Sequence, residues 1–440
     1  MNDAEGPGTA LARTEACLDR IARLDPALRA FIAVGADSAR AAARTLDAAR
    51  GAPAGPLHGL PVAIKDCIDV AGVPTTNGSS FYGHAVAATD APVVRRLRQA
   101  GAVILGKTNM HELAYGGTTQ NAFFGACRNP WDTARIPGGS SGGSAVGGAP
   151  GLAEAALGSD TGSSIRMPAA FCGVAGLRPS AGTVPADGVL PVSPPHDIVG
   201  PMARTVAAVA RIQTVIADPG PAAALAGALD RDVAGLRLAV PDDFFFDEAD
   251  PPVAAAVMAA ARVLEQRGAR LVSVAIPAAA EAQAQLMPVL FADAASFHRE
   301  RIETRPEGFS AGVLARLRPG LDMRAVDYAR SLRWLEAWRL RVAAFFRDEA
   351  DAMLTPSVPV VAPEAVDDAN LTAVTSRISR FAWAWSAAGA PALSVPCGFV
   401  DGLPVGLQVA AGPGDGATGV AIGHRYQEAT GWHLIAPPVG

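Results

Sequence analysis

The stretch LGSDTGSSIRMPAAFCG (157–173) carries the densest chemical signal in the chain. It continues an apolar run, AEAALGSD (153–160), that reads as a β-strand. Thr161, Gly162 and Ser163 then make a tight turn, and Ser164 opens a helix. A hydroxyl at a helix start sits among backbone N–H groups that lack intrahelical partners. Those donors, with the positive end of the helix dipole, suit an oxyanion. An ordinary N-cap serine has the same placement, so from this stretch alone Ser164 is either a nucleophile or a cap.

Upstream lies a second Gly/Ser-rich run, PGGSSGGSA (137–145). It is not a phosphate loop of the G-x-x-x-x-G-K-[ST] type, because no lysine sits there, and the dinucleotide pattern G-x-G-x-x-G is absent. A serine nucleophile needs a base. The seven histidines show no triad context, and there is no G-x-S-x-G elbow. The alternative base is lysine. Only two of the 37 basic residues are lysines, Lys65 and Lys107, and Lys65 ends the apolar strand in HGLPVAIKDCID (58–69). In a chain that otherwise uses arginine, a retained lysine points to something arginine cannot do, such as losing its proton near neutral pH. A partly desolvated strand end would disfavour its charged form. The competing role is a structural cation paired with Asp66 or Asp69.

Taken together, these segments resemble the amidase signature hydrolases. The likeness runs through GLPVAIKD (59–66), GKTNMHELAYGGTTQN (106–121), RNPWD (128–132), PGGSSGGS (137–144), LGSDTGSSIRMPAAFCGVAGLRPS (157–180) and VGPMART (199–205), and returns in GAPALSVPCGF (389–399) and GLPVGLQVAA (402–411). The resemblance implies a Ser–Ser–Lys apparatus. Lys65 matches the family's lysine, Ser140 the bridging serine carried on a cis peptide, and Ser164 the nucleophile, with Ser141 one residue off the expected spacing. It also implies an oxyanion hole at the N–H groups of Thr161, Gly162, Ser163 and Ser164. The implied activity is hydrolysis of amide-type C–N bonds in small molecules, carbamates included, without a metal or organic cofactor, by a monomer or homodimer. The A subunit of a glutamine-dependent tRNA amidotransferase is the alternative within the family, although the R-Y-G type segment associated with it is missing here. An esterase and a non-catalytic binding protein are further rivals.

Two departures stand out. Ser163 replaces a usual glycine, and Ser386 stands where the family often has asparagine. Tyr115, Gly116, Gly117, Trp383 and Trp385 are candidates for the substrate pocket, the tryptophans competing with a role in the core. Asp160 and Arg166 flank the turn and are expected to brace it as an ion pair.

The rest of the chain sets the frame. Half of its 440 residues are hydrophobic and 18% charged, with a net charge of −5. That fits a large globular core and, without a basic block, argues against a nucleic-acid partner. No long apolar run suggests a membrane span. The N-terminus MNDAEGPGTA lacks the pattern of a signal peptide. Five scattered cysteines without C-x-x-C pairing read as reduced thiols of a cytoplasmic protein with no metal site.

Alternating short apolar runs and helical stretches predict α/β layers in one domain over 1–440. Its parts are N-terminal helices over 9–50, a core over 57–210, a mostly helical variable region over 219–350, and the C-terminal part of the core over 385–430. The family likeness implies a large mixed sheet covered by helices on both faces.

Overall fold

The computed structural model describes residues 8–49, 55–83, 85–365 and 370–439. The first seven residues, on which the signal-peptide argument partly rests, lie outside this set, as does the start of the turn-rich stretch after residue 50. The strands in chain order are β1 (Phe31–Val34), β2 (Pro61–Lys65), β3 (Val103–Thr108), β4 (Gln120–Asn121), β5 (Gly125–Ala126), β6 (Ala155–Asp160), β7 (Ala175–Arg178), β8 (Ile198–Ala203), β9 (Arg237–Pro241), β10 (Arg270–Val274), β11 (Ala352–Pro356), β12 (Ala392–Val400) and β13 (Leu403–Ala411). Eleven of them form one mixed sheet in the order β1-β3-β2-β6-β8-β7-β12-β13-β11-β9-β10, and β4 pairs with β5 alone. This is the expected single α/β domain.

The central strands are buried on both faces, as their near-continuous apolar sequences require. Side chains alternate across the sheet. Val62 and Ile64 of β2 join the core under the helices Pro92–Gln99, Val206–Ile216, Pro251–Gln266 and Gly416–Ala429. Ala63 faces the other way, into a core closed by the helices Ala10–Leu28, Ala36–Ala48, Gly142–Gly148 and Arg166–Cys172. A further helical layer, built on Ala282–Thr304 and Ala325–Asp348, packs around Phe245, Trp338 and Trp385.

Two local readings are corrected. The N-terminal unit is not helical throughout, because FIAV (31–34) pairs antiparallel with β3, setting Phe31 against Thr108. Ala- and Arg-rich helices on either side hide it in the sequence. The Gly/Ser-rich run from 137, whose composition reads as a loop, leads into the Gly142–Gly148 helix, fully buried. Glycine is a poor helix former, and here tertiary contact overrides that preference. A Cβ on Gly143 would stand 2.4 Å from the carbonyl oxygens of Ala30 and Asn109, so only a bare backbone fits.

The pairing of β2 with β6 is parallel, Val62 opposite Ala155 and Ile64 opposite Leu157. Their C-terminal ends therefore open on one edge of the sheet, the usual place for a site in such folds.

Gly143→Ala should cost about 1–3 kcal/mol or more, because backbone rather than a flexible side chain must move. Urea unfolding checks this, with a lowered midpoint at unchanged m-value as the expected result.

Candidate active site

At that edge β2 ends on Lys65, and the turn 161–164 follows β6. The Gly142–Gly148 helix packs beneath both strands and brings the preceding Ser140 in from the side. Lys65 and Ser140 are completely buried, whereas Ser164 is half-buried. Lys65 Nζ lies 2.6 Å from Ser140 Oγ, 2.8 Å from Ser159 Oγ and 3.5 Å from the Ser159 carbonyl oxygen. A neutral amine has two N–H bonds and one lone pair. Three such partners can satisfy it completely, with Ser159 accepting and Ser140 donating.

The peptide bond between Gly139 and Ser140 is cis. Ser141 is engaged elsewhere, its Oγ donating to the Ser159 carbonyl at 3.0 Å and accepting from the Ser159 N–H at 3.2 Å. The serine on Lys65 is thus Ser140. Among the described residues Ser164 Oγ makes no hydrogen bond, to Ser140 or to any other protein group. Its hydroxyl faces the pocket.

Lys65 does not pair with Asp66 or Asp69. Asp66 is taken by the other lysine, Lys107 Nζ, at 3.1 Å, both side chains being wholly buried. Lys65 has no carboxylate partner among the described residues. Burial pushes its ammonium down from the ordinary lysine value to about 8, against weaker opposing pulls from Cys67, Asp160 and Asp197. Burial, helped by Arg316 and Lys65, pushes the His111 imidazole down to about 3.

The turn itself is clamped from behind. The Arg166 guanidinium meets both oxygens of Asp160 at 3.1 Å, the expected brace. It also donates to the Gly162 carbonyl at 2.8 Å, to Ser386 Oγ at 2.7 Å, to the Ala382 carbonyl at 2.9 Å and to Gln408 Oε1 at 3.0 Å. Ser386, in turn, donates to the Gly162 carbonyl at 2.9 Å. With that carbonyl held on the far side, the N–H groups of Gly162, Ser163 and Ser164 donate to no protein group among the described residues. Unpartnered donors beside a half-buried hydroxyl can receive an oxyanion.

Sequence reading missed Arg178, which adds a second guanidinium to Asp160 at 3.3 Å, and Asp197, which accepts from Thr161 Oγ1 at 2.6 Å. It also missed Ser159, which lies within the quoted stretch.

The pocket in front of Ser164 is lined by Tyr115, Gly116, Gly117, Thr161, Gly162, Ser163 and Trp383, with Val192, Met287, Leu290, Arg316, Thr375 and Ser379. A Cβ on Gly162 would stand 2.6 Å from the Trp383 ring, which closes that wall. Trp385 is a correction. It is fully buried, stacks on Phe245 with ring centroids 5.9 Å apart, and does not line the pocket. A helical spacing of two puts Trp383 and Trp385 on different faces, one towards the turn and one into the core. Among the described residues no group of three or more His, Cys, Asp or Glu side chains is arranged to hold a metal ion, and no helix is long and apolar enough to cross a membrane.

The fold and this arrangement define an α/β enzyme scaffold with a serine-rich site around an unpaired lysine. The chain belongs to the amidase family, whose sequence profile matches residues 12–418. It is 39% identical to the A subunit of glutamyl-tRNA(Gln) amidotransferase from Chloroflexus aggregans, over 99% of this chain and 96% of the relative. Among solved structures it resembles a chain from a vestigial protein complex bearing on the origins of an s-triazine catabolic enzyme (TM-score 0.90, 33% identity, 97% and 96% of the two chains). It also resembles the A subunit of glutamyl-tRNA(Gln) amidotransferase from Thermotoga maritima (TM-score 0.77, 31% identity, 94% and 90%).

Asp160→Asn would leave two buried guanidiniums without their anion and should cost about 3–5 kcal/mol. Burial alone would raise the Asp160 carboxyl, but Arg166 and Arg178 overcome it and hold it at about 2. Its contribution is therefore whole above the ordinary aspartate range near pH 4 and falls away as the pH drops towards about 2. Urea midpoints measured between pH 2 and 7 should lose that part of the acid slope in the variant.

Proposed function

We propose that the chain hydrolyses amide bonds of small molecules through an acyl-enzyme on Ser164, with Lys65 as base and Ser140 as relay. The observation that carries this is Lys65: buried, without a carboxylate, and 2.6 Å from Ser140 Oγ. Neutral Lys65 accepts the Ser140 proton while Ser140 accepts the proton of Ser164, and Ser164 Oγ bonds to the carbonyl carbon. The turn N–H groups receive the oxyanion. The relay returns a proton to the nitrogen as the C–N bond breaks, since an amide anion is a very poor leaving group. Water, deprotonated by the same relay, then releases the acid and restores Ser164. Carbamates and activated esters fall within the same acyl chemistry. In this reading the chain acts as a monomer or homodimer.

A second reading has a specific observation in its favour. The curated relatives at 38–39% identity are named as amidotransferase A subunits, matched nearly end to end. On that reading glutamine is the amide, and ammonia passes to a partner. The chemistry at Ser164 is the same in both cases. Against it, the relatives carry segments this chain lacks, the alignment spanning 473 positions for a chain of 440, and the R-Y-G type segment is absent. Ammonia release from glutamine, compared with turnover of simple aliphatic amides and anilides by the isolated chain, separates the two.

Ser164→Ala should lower turnover at least about a thousandfold with the fold intact, and should abolish covalent labelling by a fluorophosphonate. Labelling that persists at another serine would overturn the assignment.

Because the base works only as the neutral amine, kcat/KM should rise with pH and level off above the value near 8. Lys65→Arg keeps a charge that cannot be given up, so activity should fall at least about a hundredfold. A pH–rate profile of both proteins on one amide checks this. A variant with an unchanged profile and more than about a tenth of the rate would remove lysine from the mechanism.

A further inference from the structure

Arg316 is the one charged residue in the described lining of the pocket, and the hydrolytic scheme leaves it unused. It lies in the helix Ala311–Leu321, is 8% exposed, and lines the cavity that holds Ser163, Ser164 and the turn. Among the described residues it makes no ion pair, and its Nε has no hydrogen-bond partner. Its guanidinium sits over the Tyr115 ring, 5.3 Å from the centroid. Burial pushes it below the ordinary arginine value, opposed only by Tyr115. The other buried arginines near the site each have a carboxylate partner, Asp160 taking both Arg166 and Arg178.

A buried guanidinium left unpaired is costly, and an anion brought to it would recover much of that cost. The pocket adds three constraints. Its described lining contains this one cation and no carboxylate, so a substrate ammonium has no counterion there. Val192, Met287, Leu290 and Trp383 give it apolar walls that suit methylene groups. It encloses about 40 Å³, room for roughly three water-sized groups, so whatever links the anion to the carbonyl is short. The pocket lies directly against Ser164 and its turn, so in the hydrolytic reading the arm it takes is the one that stays bonded to Ser164, the acyl arm.

We propose that Arg316 binds a carboxylate on the acyl part of the substrate, so that the preferred substrates are short monoamides of dicarboxylic acids without an α-amino group. This rests on the hydrolytic reading above and sharpens it. Arginine's planar fork meets a carboxylate through two parallel N–H···O bonds, which lysine cannot reproduce.

The test uses three matched amides: butyramide, glutaramate (the monoamide of glutaric acid) and glutamine. Wild type should prefer glutaramate over butyramide by at least about a hundredfold in kcat/KM, and over glutamine as well. In Arg316→Met, similar in length and uncharged, the glutaramate-to-butyramide ratio should collapse towards one, and Arg316→Lys should restore only part of it. A ratio near one in wild type, a ratio that survives in Arg316→Met, or a preference for glutamine would each overturn the proposal. A second measurement covers a variant that fails to fold. Calorimetric titration of Ser164→Ala, which keeps Arg316, with glutarate should show saturable binding that glutaramide, the neutral diamide, does not match. Absence of glutarate binding at millimolar concentration overturns the proposal. The titration reads Arg316 without any turnover, so its failure is distinct from failure of the hydrolytic reading, which would show as no hydrolysis of any amide and no fluorophosphonate labelling.

Discussion

One buried carboxylate ties the active edge together. Asp160 ends β6 and holds two guanidiniums, from Arg166 after the turn and Arg178 at the end of β7. Arg178 also donates to the His196 carbonyl at 3.2 Å, and Arg166 reaches Gln408 on β13. The Asp160 Oδ2 atom further accepts the Ile165 N–H at 3.1 Å. Such clusters are weak sources of net stability, because desolvation offsets most of the Coulomb gain. What this one supplies is position. The Gly162 carbonyl has one acceptable orientation while Arg166 and Ser386 both donate to it, and the turn's free N–H groups then have only the pocket to face.

Ser386 shows how a departure from the family pattern is absorbed. Its hydroxyl donates to Gly162 and accepts from Arg166, so a single oxygen joins the turn to the arginine. The two lysines show a second asymmetry. Lys107 is neutralised by Asp66 and Lys65 is not, although both are buried on neighbouring parallel strands. The difference lies in the face each side chain enters, since the register sets Lys107 opposite Ile64 and Lys65 opposite Thr108, and it leaves one amine able to exist uncharged near neutral pH.

Much of this was legible in the sequence. Apolar runs located β2 and β6, because strands buried on both faces leave continuous hydrophobic signals. Lys65 stood out by composition, in a chain that otherwise uses arginine. What stayed hidden depends on partners remote in the chain. FIAV (31–34) is a strand only because β3 lies beside it. The Gly142–Gly148 helix exists because backbones crowd it. Ser159 differs from its neighbours only once Lys65 arrives above it. Arg316 was one of many arginines until the fold removed water from it and offered no carboxylate in return. At Trp385 the core role prevails over the pocket, since a step of two on a helix turns a side chain well away from its neighbour's direction.

Two walls of the pocket differ in origin. The turn continues from strand β6 of the sheet, while Met287, Leu290 and Arg316 come from helices that lie between β10 and β11 in the chain. On the proposed mechanism attack and leaving-group protonation belong to the first set, and on the proposal for Arg316 fit to the acyl arm belongs to the second. A descendant could therefore change its diet by exchanging residues on two helices, keeping inherited chemistry untouched, much as a lock is rekeyed without replacing the bolt.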